Sequence, residues 1–190
     1  MKRILRTSSV VAALIIASAA ASSAADLAPG YVDFGRIVPS SEGKFVEVNL
    51  SEGLLKFGSM FASKQEPQAA DVLRSLKHVR VNVVELNDAN RSQIIERVKT
   101  VRQELETAGW TQIVNVREQP KGDDVQIFAK MRGEEAIEGL VVTVIDGNHE
   151  VVLVNIVGNI KPEQIATLAE RFNIDPLKKV DFTGTKHPGA

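Results

Sequence analysis

Histidine is the side chain best suited to proton transfer at neutral pH, and this chain has three, His78, His149 and His187. The surrounding patterns place the first at the start of a strand, the second in a hairpin turn and the third in a C-terminal tail. A catalytic triad or a metal centre needs side chains that converge, and these positions give no reason to expect convergence. We therefore expect no catalytic residue, no metal site and no cofactor.

Acidic side chains cluster at two predicted turns. The segment Asp146-Gly147-Asn148-His149-Glu150 has oxygen atoms at alternate positions, as the start of a calcium loop does. The strand resumes at Val151, before the distant glutamate that such a loop requires, so a tight hairpin turn explains the segment better. Glu134, Glu135 and Glu138 lie near another turn and are typical of solvated hairpin charge.

Asn155 is a polar residue within an apolar strand pattern, and Gly158 and Asn159 follow it just before a predicted helix. Backbone N–H groups at the start of a helix can bind an anion, but the spaced glycines of a phosphate loop are missing. The sequence favours a structural amide that hydrogen-bonds the turn between strand and helix.

Trp110, the only tryptophan, follows the longest predicted helix directly. It could form the floor of a pocket, but a buried aromatic side chain that joins helix to sheet is the better interpretation. The candidate surface for a ligand or partner therefore consists of Trp110, Glu134, Glu135, Glu138, Asn155 and Asn159.

The second half of the chain alternates between apolar strand patterns and short turns. Strands are predicted for Trp110 to Arg117, Val125 to Met131, Ile137 to Ile145 and Val151 to Val157. Because parallel pairing needs a crossover of a dozen or more residues, such short connections predict an antiparallel meander of four strands.

The first half alternates between strands and amphipathic helices. Strands are predicted at 44–50 and 79–86, and helices at 51–61, 67–76 and 91–108. In the first helix, Leu54, Leu55, Phe57, Gly58 and Phe61 form an apolar stripe that should face the core, and a further helix should start at Pro162.

These elements predict an α+β fold. We expect a mainly antiparallel sheet of about six strands, with three to four amphipathic helices packed mostly on one face. The strands on either side of Asp146-Gly147 are apolar at nearly every position, which is typical of strands that are buried on both faces. The irregular segments should then close part of the second face, and a homodimer is an open alternative.

The N-terminal residues predict the location of the protein. Lys2, Arg3 and Arg6 precede an apolar run at 10–21 and a group of small residues, which is the layout of a signal peptide. We expect a signal peptide at 1–25, an irregular lead-in at 26–43, a single domain at 44–174 and a flexible tail at 175–190. The protein should be exported, either periplasmic or secreted.

The charge and the cysteine content of the chain limit the range of functions that we expect. Cleavage would remove three of the 23 basic residues and leave 20 against 24 acidic ones, a net charge of −4, so we expect no binding to nucleic acid. The chain has no cysteine, so it has neither a disulfide nor a thiol that could carry a lipid anchor.

The chain also resembles a known family of exported bacterial proteins. The residues that carry the resemblance are Gly109-Trp110, Ile127 to Lys130, Ile137 to Val142 and Val154 to Ile160. The family is the domain of unknown function numbered four thousand two hundred fifty-two. The resemblance implies an exported protein, often lipid-anchored through a cysteine that this chain lacks, and supplies no catalytic residues.

Three functional hypotheses follow. The first is a non-enzymatic interaction module of the cell envelope that binds a protein, a peptide or a small ligand through a sheet face or an edge strand. The others are a hydrolase-like enzyme that uses carboxylates near the meander turns, and a structural protein that assembles with itself.

Overall fold

The computed structural model describes residues 28–37, 43–118, 122–133, 136–147, 149–161 and 164–165. The strands and helices lie within these ranges. The strands are β1 (Phe45–Ser51), β2 (Leu76–Glu85), β3 (Thr111–Arg117), β4 (Asp124–Arg132), β5 (Ala136–Asp146) and β6 (Glu150–Ile160), and the helices are α1 (Glu52–Ala62), α2 (Pro67–Ser75) and α3 (Arg91–Thr107).

All six strands belong to one antiparallel sheet with the order β1-β2-β6-β5-β4-β3. The predicted α+β class and the C-terminal meander of β3 to β6 are confirmed. In two of the meander turns, Gly133 and Gly147 have φ angles of 64° and 41°, a region that glycine enters without a steric penalty. The described residues contain three helices, and the helix predicted from Pro162 lies mostly outside them.

Cross-strand pairing aligns branched apolar side chains in rows on the first face of the sheet. Two neighbouring rows each contain one residue from every strand. The first consists of Val46, Val83, Val152, Val144, Val125 and Val116, and the second of Val48, Val81, Val154, Val142, Ile127 and Val114. This continuity fixes the register, because a slip of one residue would move every valine to the opposite face.

Helices cover both faces of the sheet, so the expectation that they pack mostly on one face needs correction. On the first face, Leu55 of α1 and Val72 of α2 pack against the valine rows. On the second face, the apolar side of α3 packs on the sheet together with Phe34 and Ile37 of the lead-in. Since β5 and β6 are apolar on both faces, each face needs its own cover.

One ionic contact ties α3 to the sheet below it. Arg102 is 7% exposed, and its guanidinium hydrogen-bonds Thr143 Oγ1 at 2.9 Å and lies 3.0 Å from a carboxylate oxygen of Asp124. Burial lowers the pKa of Arg102, while the hydrogen bond with Asp124 and its charge act in the opposite direction. The carboxylate therefore compensates a cation that would otherwise be costly to bury.

The first turns of α1 and α3 lack a hydrogen bond from the side chain at the N-cap position. Ser51 and Asn90 occupy the N-cap positions of α1 and α3, but neither side chain makes a capping hydrogen bond. Instead, Asn90 donates to the carbonyl of Glu85 and accepts from the N–H of Asn87, each at 2.8 Å. Asn90 thus closes the loop between β2 and α3.

Asn82 is buried on the second face without compensation. Its side chain is 1% exposed, and neither Oδ1 nor Nδ2 has a hydrogen-bond partner within the part of the chain that the structure describes. A buried polar group left unpaired costs about 1–3 kcal/mol.

We expect Asn82→Leu to raise the free energy of unfolding by about 1 kcal/mol or more, measured by urea denaturation. A lower free energy of unfolding would contradict the assignment of Asn82 as an unpaired buried amide.

Candidate functional site

Four of the six candidate residues border the path of the lead-in across β5 and β6. They are Trp110, Glu138, Asn155 and Asn159. Glu134 and Glu135 lie outside the described residues.

Asn155 is the centre of this region and binds the lead-in. Its side chain is fully buried; Oδ1 accepts from the N–H of Val32 at 3.0 Å, and Nδ2 donates to the carbonyls of Gly30 at 3.0 Å and Leu140 at 3.3 Å. The amide is structural, as expected, but its partners differ from the prediction. It fastens a segment more than a hundred residues away, and no hydrogen bond to the following turn is seen in the described residues.

Gly139 lets two groups lie against the sheet beside Asn155. A Cβ atom at this position would lie 2.5 Å from the carbonyl oxygen of Gly30 and 2.6 Å from Cη2 of Trp110. Only glycine permits both approaches. Trp110 is half-buried and packs against the second-face core, so it joins helix to sheet as expected.

Glu138 and Asn159 lie at the rim of a shallow depression of about 120 Å³. Its lining also includes Lys77 and Arg132, and Arg132 donates a short hydrogen bond to Oδ1 of Asn159. Ligand pockets usually have volumes of about 300–1,000 Å³, so this depression is too small for a metabolite of ordinary size.

Further contacts hold the lead-in along its length. Arg97 of α3 donates to the carbonyls of Phe34 at 2.7 Å and Asp33 at 3.1 Å, and Arg80 lies 3.3 Å from the Asp33 carboxylate. The Tyr31 ring meets His78 edge-on, with 5.2 Å between the ring centroids. Burial, together with the charge of Arg80, lowers the pKa of His78. The chain's own residues therefore occupy the surface around Trp110 and Asn155.

A different surface exposes apolar side chains. Leu54, Phe57, Met60 and Phe61 of α1 are 55%, 58%, 69% and 67% exposed, and we call these four residues the α1 ridge. The rings of Phe57 and Phe61 pack edge-to-face with centroids 4.8 Å apart. The ridge is thus an ordered apolar cluster on the surface.

The ridge corrects the expectation that the apolar stripe of α1 faces the core. The side chains on the inner side are mostly small: Leu55 and Ser59 are buried, and Gly58 and Ala62 are partly buried. A Cβ atom at Gly58 would lie 3.9 Å from a methyl carbon of Leu73, an ordinary van der Waals distance, so this side of α1 faces α2. Because small residues occupy the contact with α2 and the sheet, the larger side chains point to solvent.

Sequence reasoning missed the ridge, although a signal was present. Large apolar residues cover more than half of the circumference of α1, whereas a helix that covers a core on one side needs a narrower stripe. Part of the apolar surface of such a helix stays exposed after the helix has packed on the core. The pattern alone did not show which part is buried.

The two edges of the sheet differ in protection. β1 pairs with β2 in an unbroken register from Phe45 to Ser51, and Val46 and Val48 on this edge strand are 36% and 37% exposed. The register of β3 shifts between Gln112 and Val114, and such irregularities hinder further pairing. The less protected edge is therefore the one next to α1, which packs over β1 and β2.

The described residues lack two further kinds of feature. No group of three or more histidine, aspartate or glutamate side chains within them is arranged to hold a metal ion. None of the three helices is long and apolar enough to cross a membrane.

Comparison with known proteins identifies a family for this chain. The family model described as "Domain of unknown function (DUF4252)" matches residues 40–168, which confirms the resemblance seen in the sequence. A search of curated proteins and a search of solved structures each returned no match.

The role of Asn155 can be tested with a substitution of similar volume. We expect Asn155→Leu to lower the free energy of unfolding by about 1–3 kcal/mol, because the N–H of Val32 and the carbonyl of Gly30 lose their partner. Hydrogen exchange at Val32 should also accelerate. Asn82→Leu is the matched control, because the same substitution there should raise the free energy of unfolding. Unchanged hydrogen exchange at Val32 would show that Asn155 does not hold the lead-in.

Proposed function

We propose that this chain, which belongs to the DUF4252 family, is a non-enzymatic interaction module that is exported from the cytoplasm and binds its partner through the α1 ridge. The observation that carries the proposal is the exposure of four large apolar side chains on one ordered helix. Contiguous apolar surface of this kind marks contact sites in soluble proteins.

The energy available at the ridge supports a docking role. At 58% and 67% exposure, Phe57 and Phe61 together present on the order of 250 Å² of ring surface. Burying that area would contribute about 6 kcal/mol before the cost of association is subtracted. Leu54 and Met60 add to this sum, so the ridge is large enough to serve as the centre of a contact.

The geometry gives less support to the carboxylate-based enzyme. Glu138 is the described member of the acidic group, and its neighbours in the small depression are Lys77 and Arg132 rather than a second carboxylate. A hydrolase of this type needs two acids placed on either side of a bound substrate. An interaction module needs no such pair.

Export is supported by the order of residue types at the N-terminus. Three basic residues precede the apolar run, and the small residues Ser22, Ser23, Ala24 and Ala25 follow it, as a signal peptidase requires.

We expect the protein recovered from the periplasm or medium of a bacterial host to start at Ala25 or Asp26, as measured by intact mass. Full-length protein in the cytoplasmic fraction alone would refute export.

Docking through the ridge can be tested by crosslinking in cells. A photoreactive residue at Met60 should form adducts, whereas one at Met131, which is 43% exposed on β4, is the matched control and should form few. We expect Phe57→Glu to abolish the Met60 adducts while changing the free energy of unfolding by less than about 1 kcal/mol, because Phe57 is mostly exposed. Equal adducts at both sites, or none at Met60, would exclude the ridge as a docking surface.

A further inference from the structure

We infer that residues 29–33 of the lead-in form a latch that opens in acid: protonation of His78 releases them from the sheet and uncovers Asn155 and the edge of the Trp110 ring. The latch lies on the second face of the sheet, so it is independent of the α1 ridge and of the interaction proposed there. The contacts of His78, the charges around it and the fastening of the lead-in support this inference.

His78 lies on β2 beneath the latch. Its ring meets the Tyr31 ring edge-on, with 5.2 Å between the centroids. Its Nε2 atom is buried and has no hydrogen-bond partner in the part of the chain that the structure describes. A neutral imidazole tolerates this position because Nε2 can be the nitrogen without a hydrogen, whereas both nitrogens of an imidazolium are donors. Since a buried charge without an acceptor is far more costly than a buried neutral ring, the closed latch requires neutral His78.

The charged residues beside His78 on β2 are both cationic. Arg80 lies two positions further along the same face, with only 13% of its side chain exposed, and the exposed Lys77 precedes His78. The residues that pair with His78 across the sheet, Ser51 of β1 and Val157 of β6, are uncharged. A proton on His78 would therefore place two cations close together on one face of a strand.

The carboxylates on the surrounding elements already have cationic neighbours. The contacts are Asp33 of the latch and Glu47 of β1 with Arg80, at 3.3 Å each, Glu52 of α1 with Lys56, at 2.6 Å, and Glu138 of β5 with Lys77 and Arg132, which share its depression. From α3, Arg97 reaches the carbonyls of Asp33 and Phe34 and adds another positive charge. Protonated His78 would thus add charge without gaining an ion pair of its own.

Asn155 fastens the latch on either side of Tyr31. Its Oδ1 accepts from the N–H of Val32, and its Nδ2 donates to the carbonyl of Gly30, each at 3.0 Å. Because Tyr31 lies between these two residues, a movement of its ring away from β2 strains both hydrogen bonds. The opening should end at Phe34, whose fully buried side chain is part of the second-face core.

The pKa of His78 sets the pH range of the latch. Burial, and then the charge of Arg80, hold this pKa below its ordinary value of 6.5 in the closed state. In the open state water reaches the ring, and the pKa rises toward that ordinary value. The closed state is therefore most stable above pH 6.5 and loses stability as the pH falls below that value. At pH 5, protonation of the open state can favour opening by up to about thirtyfold.

Hydrogen exchange at the N–H of Val32, measured by NMR and corrected for the intrinsic exchange rate at each pH, reports on opening. We expect the equilibrium constant for opening to rise about three- to thirtyfold between pH 7.5 and pH 5. His78→Phe keeps an aromatic ring against Tyr31 but cannot take up a proton, so it should abolish this rise. The matched control is His149→Phe in the exposed turn between β5 and β6, which should respond as the original protein does.

Trp110 gives a second measurement, because it is the only tryptophan and its ring lies beside Gly30 at Gly139. Opening of the latch should expose the ring, so quenching of its fluorescence by acrylamide should increase between pH 7.5 and pH 5. The increase should occur in the original protein and in His149→Phe, and it should be absent from His78→Phe. Circular dichroism at each pH checks that the domain stays folded.

Three results would overturn the latch. The first is a corrected exchange rate at Val32 that does not depend on pH, and the second is an acid response in His78→Phe equal to that of the original protein. The third is a parallel loss of protection in β5 and β6, because acid would then unfold the whole domain.

If His78→Phe does not fold, the NMR titration of His78 in the original protein decides. A midpoint below pH 6.5 supports the latch, and a midpoint at or above 6.5 contradicts it. Crosslinking at Met60 is a separate measurement on the first face, so failure of the latch and failure of the proposed function are distinguishable.

Discussion

The two central strands, β5 and β6, have apolar side chains on both faces, and the remaining elements serve to keep water from both. Each face contributes its own buried cluster, one beneath α1 and α2 and the other beneath α3 and the lead-in. The cost of exposing the central strands is the main reason why an irregular segment of ten described residues, 28–37, packs firmly on the sheet. Phe34 in this segment is fully buried, like a core residue of a regular element.

The two faces are covered by different means. On the first face, α1 and α2 pack closely through small residues, and the sheet below them is almost wholly aliphatic. On the second face, polar groups are part of the contact: Arg102 reaches Thr143 and Asp124, and Asn155 holds the lead-in. Directional bonds of this kind specify one arrangement, whereas aliphatic surfaces tolerate several. The outer surface of α1 remains as the apolar area that the domain does not use internally.

The parts of the fold that depend on local pattern could be predicted from the sequence. α3 lies at Arg91–Thr107, within one residue of its predicted end, because its apolar spacing and Gly109 define a helix without outside help. The meander was predictable for the same reason, since each turn carries its own signal. The orientation of α1 was not, because Leu54, Leu55, Phe57, Met60 and Phe61 occupy too much of its circumference for periodicity to select a buried side.

Long-range contacts were beyond the reach of that reasoning. The polar character of Asn155 was visible in the sequence, but two of its three partners lie 123 and 125 positions earlier in the chain. This separation along the chain affects the order and the rate of folding. Synthesis proceeds from the N-terminus, so the lead-in is among the first segments made and its anchor among the last. Until β6 emerges, Phe34 has no completed surface to enter and β2 lacks the neighbour that places it inside the sheet. Folding of this chain is therefore a late event that awaits nearly the whole polypeptide, and loop-closure entropy makes it slow compared with that of a helical bundle of equal length.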